Sequence, residues 1–218
     1  ASLVRSQIEA VASDLRPSAV KSGMLANRAI VTAAADSIRQ LSLPNYVLDP
    51  VMVATSGDLL IEKEAIEAIL NELLPLAALI TPNAHEAAVL TGMSIDTLDE
   101  MKTAAESLVR KGAKAVLIKG GDLQASRSTG IVDLLYDGEF TEFSHDRIES
   151  TSTHGTGCTL SAAIAAQLAL GDSLGGSVAT AINYVQQAIR SAPGLGAGHG
   201  PLNHFAGGSA ATNSFTRS

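Results

Sequence analysis

The sequence predicts an α/β fold, a mostly parallel sheet covered by helices on both faces. Three observations predict it. Short apolar runs, too short for helices, stop abruptly at Pro, Thr-Pro-Asn or Gly-Gly. Stretches with apolar residues at helical spacing separate these runs. The core must also be built from Ala, Leu, Val and Ile, since aromatics are only 3% of 218 residues and Trp is absent. Such small aliphatic cores suit helices packed closely on a parallel sheet.

Residues 1–15 form an amphipathic helix with Leu3, Ile8, Val11 and Leu15 turned inward. A short strand covers residues 18–20, and a helix covers 26–40. Residues 46–50 (YVLDP) are a buried strand with Asp49 at its end and a proline to stop it. Residues 61–74 are helical, and residues 77–80 are a second buried strand ending in Thr81-Pro82-Asn83. Helices follow at 85–90 and 98–111. Residues 115–119 are a third buried strand, closed by Gly120-Gly121. Residues 131–136 and 139–143 make a hairpin around Asp137-Gly138, the dipeptide favoured in a type I′ turn. Helices at 159–170 and 177–190 complete one domain, residues 1–205. The small and polar residues 206–218 read as a disordered tail.

Composition excludes several function classes. The net charge is -7 and no Lys/Arg cluster occurs, which argues against a nucleic-acid or anionic-membrane surface. The single cysteine rules out an intrachain disulfide. No apolar stretch approaches the roughly 18 residues of a membrane span. No signal peptide precedes the first helix, which points to the cytosol, with a plastid or other organelle as the alternative. Five histidines show no metal-ligand spacing, and neither a Ser-His-Asp elbow nor a Walker A motif appears.

In a parallel sheet, ligands bind beyond the carboxyl ends of the strands. That rule groups Lys21-Ser22-Gly23-Met24, Asp49-Pro50-Val51-Met52, Thr81-Pro82-Asn83 and Lys119-Gly120-Gly121 on one rim. Each motif admits a bland reading beside the functional one. Gly155-Thr156-Gly157-Cys158 opens a helix, where exposed N–H groups and the helix dipole make an anion site and favour a thiolate. It could equally be a glycine turn over a small packed cysteine. Asn83 and Glu86 have the spacing of a capping box, or Glu86 helps to hold hydrated Mg²⁺. Asp49 needs a partner, either a metal or phosphate-bound water or a nearby lysine. Lys119 either neutralises phosphate or is simply solvated.

Taken together, KSGML, LDPVM, TPNAHEA, IKGGD, THGTGC and GHGPLNHF resemble the hydroxymethylpyrimidine and phosphomethylpyrimidine kinases of thiamin biosynthesis. These belong to the ribokinase-like superfamily, and the motifs fall in the family's order over nearly the whole chain. The resemblance implies a three-layer fold and ATP-dependent phosphorylation of 4-amino-5-hydroxymethyl-2-methylpyrimidine and its monophosphate. It implies that Cys158 is the catalytic base, with Gly155, Thr156 and Gly157 forming the anion hole for the transferring phosphoryl group. Asp49 and Glu86 would organise Mg²⁺, and Lys119, Asp49, Asn83 and Thr153 would bind ATP phosphates. Met24 and Val51 would line the pyrimidine pocket. A homodimer is implied as well.

Sugar kinases of the superfamily mostly place an Asp where Cys158 stands, so the cysteine points to the pyrimidine and pyridoxal branch. Pyridoxal kinase activity is the enzymatic alternative. The family begins with a strand and a G-x-D-x-x-G-G-A-G turn that helps hold the substrate, and that motif does not occur in this sequence. About a quarter of the fold, its N-terminal strand included, is therefore expected to be absent. A pseudokinase or interaction module that keeps the nucleotide half-site is the non-enzymatic alternative.

Overall fold

A computed structural model of the chain describes residues 1–52, 61–123, 130–196 and 198–207. Most of the predicted tail lies outside the described residues. The sheet has six strands in the spatial order in which they occur along the chain. These are β1 (Val20–Ser22), β2 (Tyr46–Leu48), β3 (Leu79–Ile80), β4 (Val116–Ile118), β5 (Ile131–Tyr136) and β6 (Phe140–His145). The first four are parallel, and β5 and β6 are antiparallel to their neighbours. Seven helices are seen among the described residues: α1 (Ser2–Asp14), α2 (Arg28–Gln40), α3 (Lys63–Ala68), α4 (Ala84–Thr91), α5 (Leu98–Arg110), α6 (Thr156–Ala169) and α7 (Leu174–Arg190).

Alternation along the strands builds a core on each face of the sheet. Tyr46, Leu48, Ile80, Val116 and Ile118 pack among α2 to α5. Val47, Leu79, Leu117 and Leu135 face the other way, against Leu160, Ile164, Val178 and Val185 of α6 and α7. The result is the three-layer arrangement that the sequence predicts. Helix starts follow capping chemistry, with Asn27, Asn83, Thr97 and Ser173 each accepting a first-turn N–H.

Four local expectations need correction. The first strand lies two residues later than predicted, because its register is set by pairing Val20 with Tyr46 and Ser22 with Leu48. This puts Lys21 inside the strand. The predicted helix over 61–74 continues from α3 as a π turn (Ile69–Leu73) and a 3₁₀ turn (Leu74–Leu76). In the π turn Ile69 and Leu73 face the core together with Leu74, and Pro75 stands in the first part of the 3₁₀ turn, where its missing N–H is tolerated. The hairpin turn is not type I′. Tyr136 pairs with Phe140, so three residues form the loop, and only Gly138 (φ 114°) has positive φ. A type I′ turn needs two such residues.

The fourth correction concerns α1. Only Ile8 of the predicted inward stripe packs on the core, beside Ala12. Leu3, Val11 and Leu15 are 69%, 57% and 72% exposed. The helix rests chiefly on α2, tied by an Arg5–Asp36 ion pair of 2.9 Å, and its apolar stripe is wider than that contact. No helix among the described residues is long and apolar enough to cross a membrane.

Candidate active site

The carboxyl ends of β1 to β4 and the start of α6 converge on Asp49. Its backbone stays in the sheet, with Asp49 N–H donating to the Ser22 carbonyl at 3.0 Å. Its carboxylate is 1% exposed. Both oxygens are engaged. Oδ2 takes Lys21 Nζ at 3.2 Å and the Ser161 hydroxyl at 3.1 Å. Oδ1 faces Lys119 Nζ at 3.4 Å and the Thr81 hydroxyl at 3.5 Å. Burial pushes this carboxyl up, but the two lysines and the hydrogen bonds from Lys21 and Ser161 outweigh it and hold it below the usual range. The partner that the sequence demanded for Asp49 is thus a pair of lysines.

Glu86 sits beside this group and does form the capping box. Its Oε2 accepts the Asn83 N–H at 2.8 Å, while Asn83 Oδ1 accepts the Glu86 N–H at 2.8 Å. The same Oε2 lies 3.8 Å from Lys119 Nζ. Burial dominates here and pushes the carboxyl up, with Lys119 and the Asn83 N–H opposing it and Asp49 adding to it. Two buried carboxylates therefore share Lys119 and are pushed in opposite directions. The structural reading of Glu86 is met: Oε2 does the capping and faces Lys119, and the carboxylate also takes a backbone hydrogen bond at Met52.

Lys119 is placed by backbone geometry. Its N–H donates to the Pro82 carbonyl at 2.9 Å, and it bridges in parallel to Asn83. Gly157 passes close to its ammonium: a Cβ there would come 3.1 Å from Lys119 Nζ. The ammonium therefore lies over the first turn of α6. Gly155 enters that helix at φ 83°, a left-handed conformation suited to glycine, and no side chain caps the turn. Thr156 turns its hydroxyl back to the Thr153 carbonyl at 2.7 Å. The first-turn N–H groups at Gly157 and Cys158 point out of the helix start, as an anion site requires.

Cys158 is exposed and opens on a groove of about 850 Å³ between α6 and α7, which Thr159, Ala163 and Tyr184 help to line. The expectation of a thiolate at rest is not met. Partial burial pushes the thiol up, and the Asp49 carboxylate, by charge and hydrogen bond, pushes it further, against opposing pulls from Lys21 and Lys119. Burial leads this balance, and the buried acid adds to it. We expect alkylation of Cys158 by iodoacetamide to accelerate only above the ordinary thiol range. Rapid alkylation at neutral pH would contradict this balance.

Met24, at the end of β1, is largely exposed, and Val51 is half-buried next to buried Met52. Thr153 is exposed, before the start of α6. The structure brings Asp49, Asn83, Glu86, Lys119, Gly155, Thr156, Gly157 and Cys158 to one rim. It adds Lys21, Thr81 and Ser161, for which sequence reasoning gave no site role. Ser161 stands one helical turn after Cys158, a spacing that could have flagged it. Asp122, without a role in the sequence, faces His85 at 3.6 Å. No cluster of three or more His, Cys, Asp or Glu side chains suited to a metal occurs among the described residues.

Comparison with known proteins gives this geometry a context. The phosphomethylpyrimidine kinase family model matches residues 1–203. The hydroxymethylpyrimidine/phosphomethylpyrimidine kinase of Bacillus subtilis is 46% identical over 204 residues, covering 93% of this chain and 74% of that protein. Among solved structures, pyridoxal kinase from Staphylococcus aureus in complex with AMP-PCP aligns with a TM-score of 0.85 at 34% identity, over 94% of this chain and 74% of that one. Phosphomethylpyrimidine kinase from Clostridium difficile aligns with a TM-score of 0.75 at 36% identity, over 86% and 76%. The fold is ribokinase-like, as the motifs imply. With the family model matching residues 1–203 and a relative 46% identical over 93% of it, the chain belongs to the phosphomethylpyrimidine kinase family.

Proposed function

We propose that the protein transfers the γ-phosphoryl group of ATP to hydroxymethylpyrimidine and then to its monophosphate, as a cytosolic homodimer. The observation that carries this reading is the convergence of Lys119, the uncapped α6 start and Cys158 within one helical turn. Phosphoryl transfer needs mainly positioning and stabilisation of charge on the moving group. The N–H groups at Gly157 and Cys158, with Lys119 above them, supply both.

Cys158 acts as base toward the substrate hydroxymethyl group. Its proton inventory follows from its neighbours. At rest burial first, and the Asp49 carboxylate after it, favour the protonated thiol. Asp49 and Glu86 are hard oxygen donors on the phosphate side, a set that fits Mg²⁺ held largely through water and nucleotide phosphate. Bound there, the ion would supply positive charge to the phosphoryl oxygens. Its charge would also offset the Asp49 carboxylate, which pushes the thiol up. Lys21 and Lys119 pull the thiol toward the thiolate, the form that takes the proton of the substrate hydroxyl.

Pyridoxal is a second reading, supported by the fold match to a pyridoxal kinase. Comparing kcat/KM for hydroxymethylpyrimidine, its monophosphate and pyridoxal in a coupled ADP-release assay tests the choice. The reading expects both pyrimidines to exceed pyridoxal by at least about tenfold. Turnover of pyridoxal alone would overturn it.

A further inference from the structure

The antiparallel hairpin carries a buried polar group that the chemistry above does not use. Asp133, on β5, is buried, and each of its oxygens has a partner. Oδ1 accepts the Gly120 N–H at 2.9 Å. Oδ2 meets His145 Nε2, on β6, at 3.1 Å. The other ring nitrogen of His145, Nδ1, lies 3.0 Å from Gln186 Nε2 on α7. Arg190 Nη2 in turn reaches Gln186 Oε1 at 3.4 Å. That contact orients the amide so that Gln186 donates to Nδ1, and Nε2–H of His145 points at Asp133. The chain of contacts runs from α7 through β6 and β5 to the residue that follows Lys119.

The backbone at that residue is tightly seated. A Cβ on Gly120 would strike the Val132 carbonyl, so the Lys119-Gly120-Gly121 turn lies directly against β5. Lys119 is therefore held from two sides. Pro82 and Asn83 fix its own backbone on β3's side, and Asp133 fixes the next N–H on β5's side. Its ammonium has a narrow target, with Asp49 at 3.4 Å, Glu86 at 3.8 Å and the α6 start beneath it.

We propose that Asp133 and His145 are positioning residues that hold the Gly120 turn, and through it Lys119, in place for nucleotide phosphate. Gln186 sets the ring of His145, so the last helix takes part in the same hold. Neither Asp133 nor His145 touches the reacting atoms. Their effect passes through one backbone N–H. This inference rests on the reading of Lys119 as a phosphate-binding group.

The test is a set of variants of the 218-residue chain, with ATP and pyrimidine KM values determined separately and nucleotide affinity measured by calorimetry. Asp133→Ala removes the acceptor offered to Gly120. Its KM for ATP is expected to rise about tenfold, with KM for the pyrimidine within about twofold. Asp133→Asn keeps an oxygen for Gly120 and should return KM for ATP to within about threefold of wild type. His145→Ala leaves Asp133 and Gly120 in place and should raise KM for ATP about threefold, and it carries the test should Asp133→Ala not fold. Equal increases in both KM values, no rescue by Asn, or an unchanged KM for ATP in His145→Ala would each overturn the proposal. Lys119→Met separates the two levels. If it leaves ATP affinity unchanged, the reading of Lys119 fails. If it weakens ATP while the Asp133 and His145 variants do not, only the positioning role fails.

Discussion

Cys158→Ala should lower kcat by roughly 10² to 10⁴, the range removed with a general base, while nucleotide affinity stays within about twofold of wild type. The two halves of that expectation come from different atoms. The thiol is the group proposed to take the proton of the substrate hydroxyl. The anion hole is backbone, and Lys119 is anchored by β3, β4 and β5, so neither depends on the cysteine side chain. Residual turnover above the uncatalysed rate is expected from the anion hole alone. Wild-type kcat in this variant would remove Cys158 from the chemistry and return it to the bland reading of a small residue at a helix start.

Asp49→Ala is expected to be the most destabilising single change in the site. It leaves Lys21 and Lys119, both largely buried, without the carboxylate that holds them together. Breaking a buried ion pair by removing one partner costs about 3–5 kcal/mol. For a domain of this size that lowers the melting temperature by roughly 6–20 °C. The pH dependence has a definite sign. The Asp49 carboxyl is held low in the folded state, so its contribution is present above the ordinary carboxylate range and is lost as pH falls through its lowered value. Glu86 is pushed up and works in the opposite direction, losing stability as pH rises through its own raised value. Removing Asp49 should therefore flatten the acid limb of the stability curve. It should also free the thiol: with the acid gone and both lysines still present, Cys158 should be alkylated at lower pH than in wild type. A variant with a more reactive thiol and no phosphoryl transfer would separate thiolate formation from catalysis. Unchanged melting together with an unchanged alkylation profile would show that Asp49 holds neither.

Much of this was legible in the sequence, for identifiable reasons. Apolar runs ended by Pro50, Pro82 and Gly120 marked β2, β3 and β4, because a fully buried parallel strand has to be apolar on both faces. The same stops placed the rim, since they fall at the carboxyl ends. Asn83 and Glu86 could be read as a capping box from spacing alone. What the sequence hid was tertiary. The start of β1 depends on its pairing with β2, which no local signal encodes, so Lys21 was read as lying past the strand and received no role. The thiol at a helix start looked acidic locally, and only the fold brings Asp49, more than a hundred residues away, up against it. The exposure of Leu3 and Val11 reflects what α1 meets, not its pattern. Asp133, His145 and Gln186 lie on three separate elements, and nothing in their spacing announces that they meet.

The central claim is that one rim of this chain moves a phosphoryl group from ATP to a hydroxymethylpyrimidine with Cys158 as base. The most direct measurement is a single-turnover experiment with γ-labelled ATP, the pyrimidine and the purified 218-residue chain, following label into the pyrimidine. The account predicts stoichiometric, pyrimidine-dependent transfer by wild type and transfer slowed by at least about 10² in Cys158→Ala. Nucleotide binding with no label reaching the pyrimidine in wild type would contradict it.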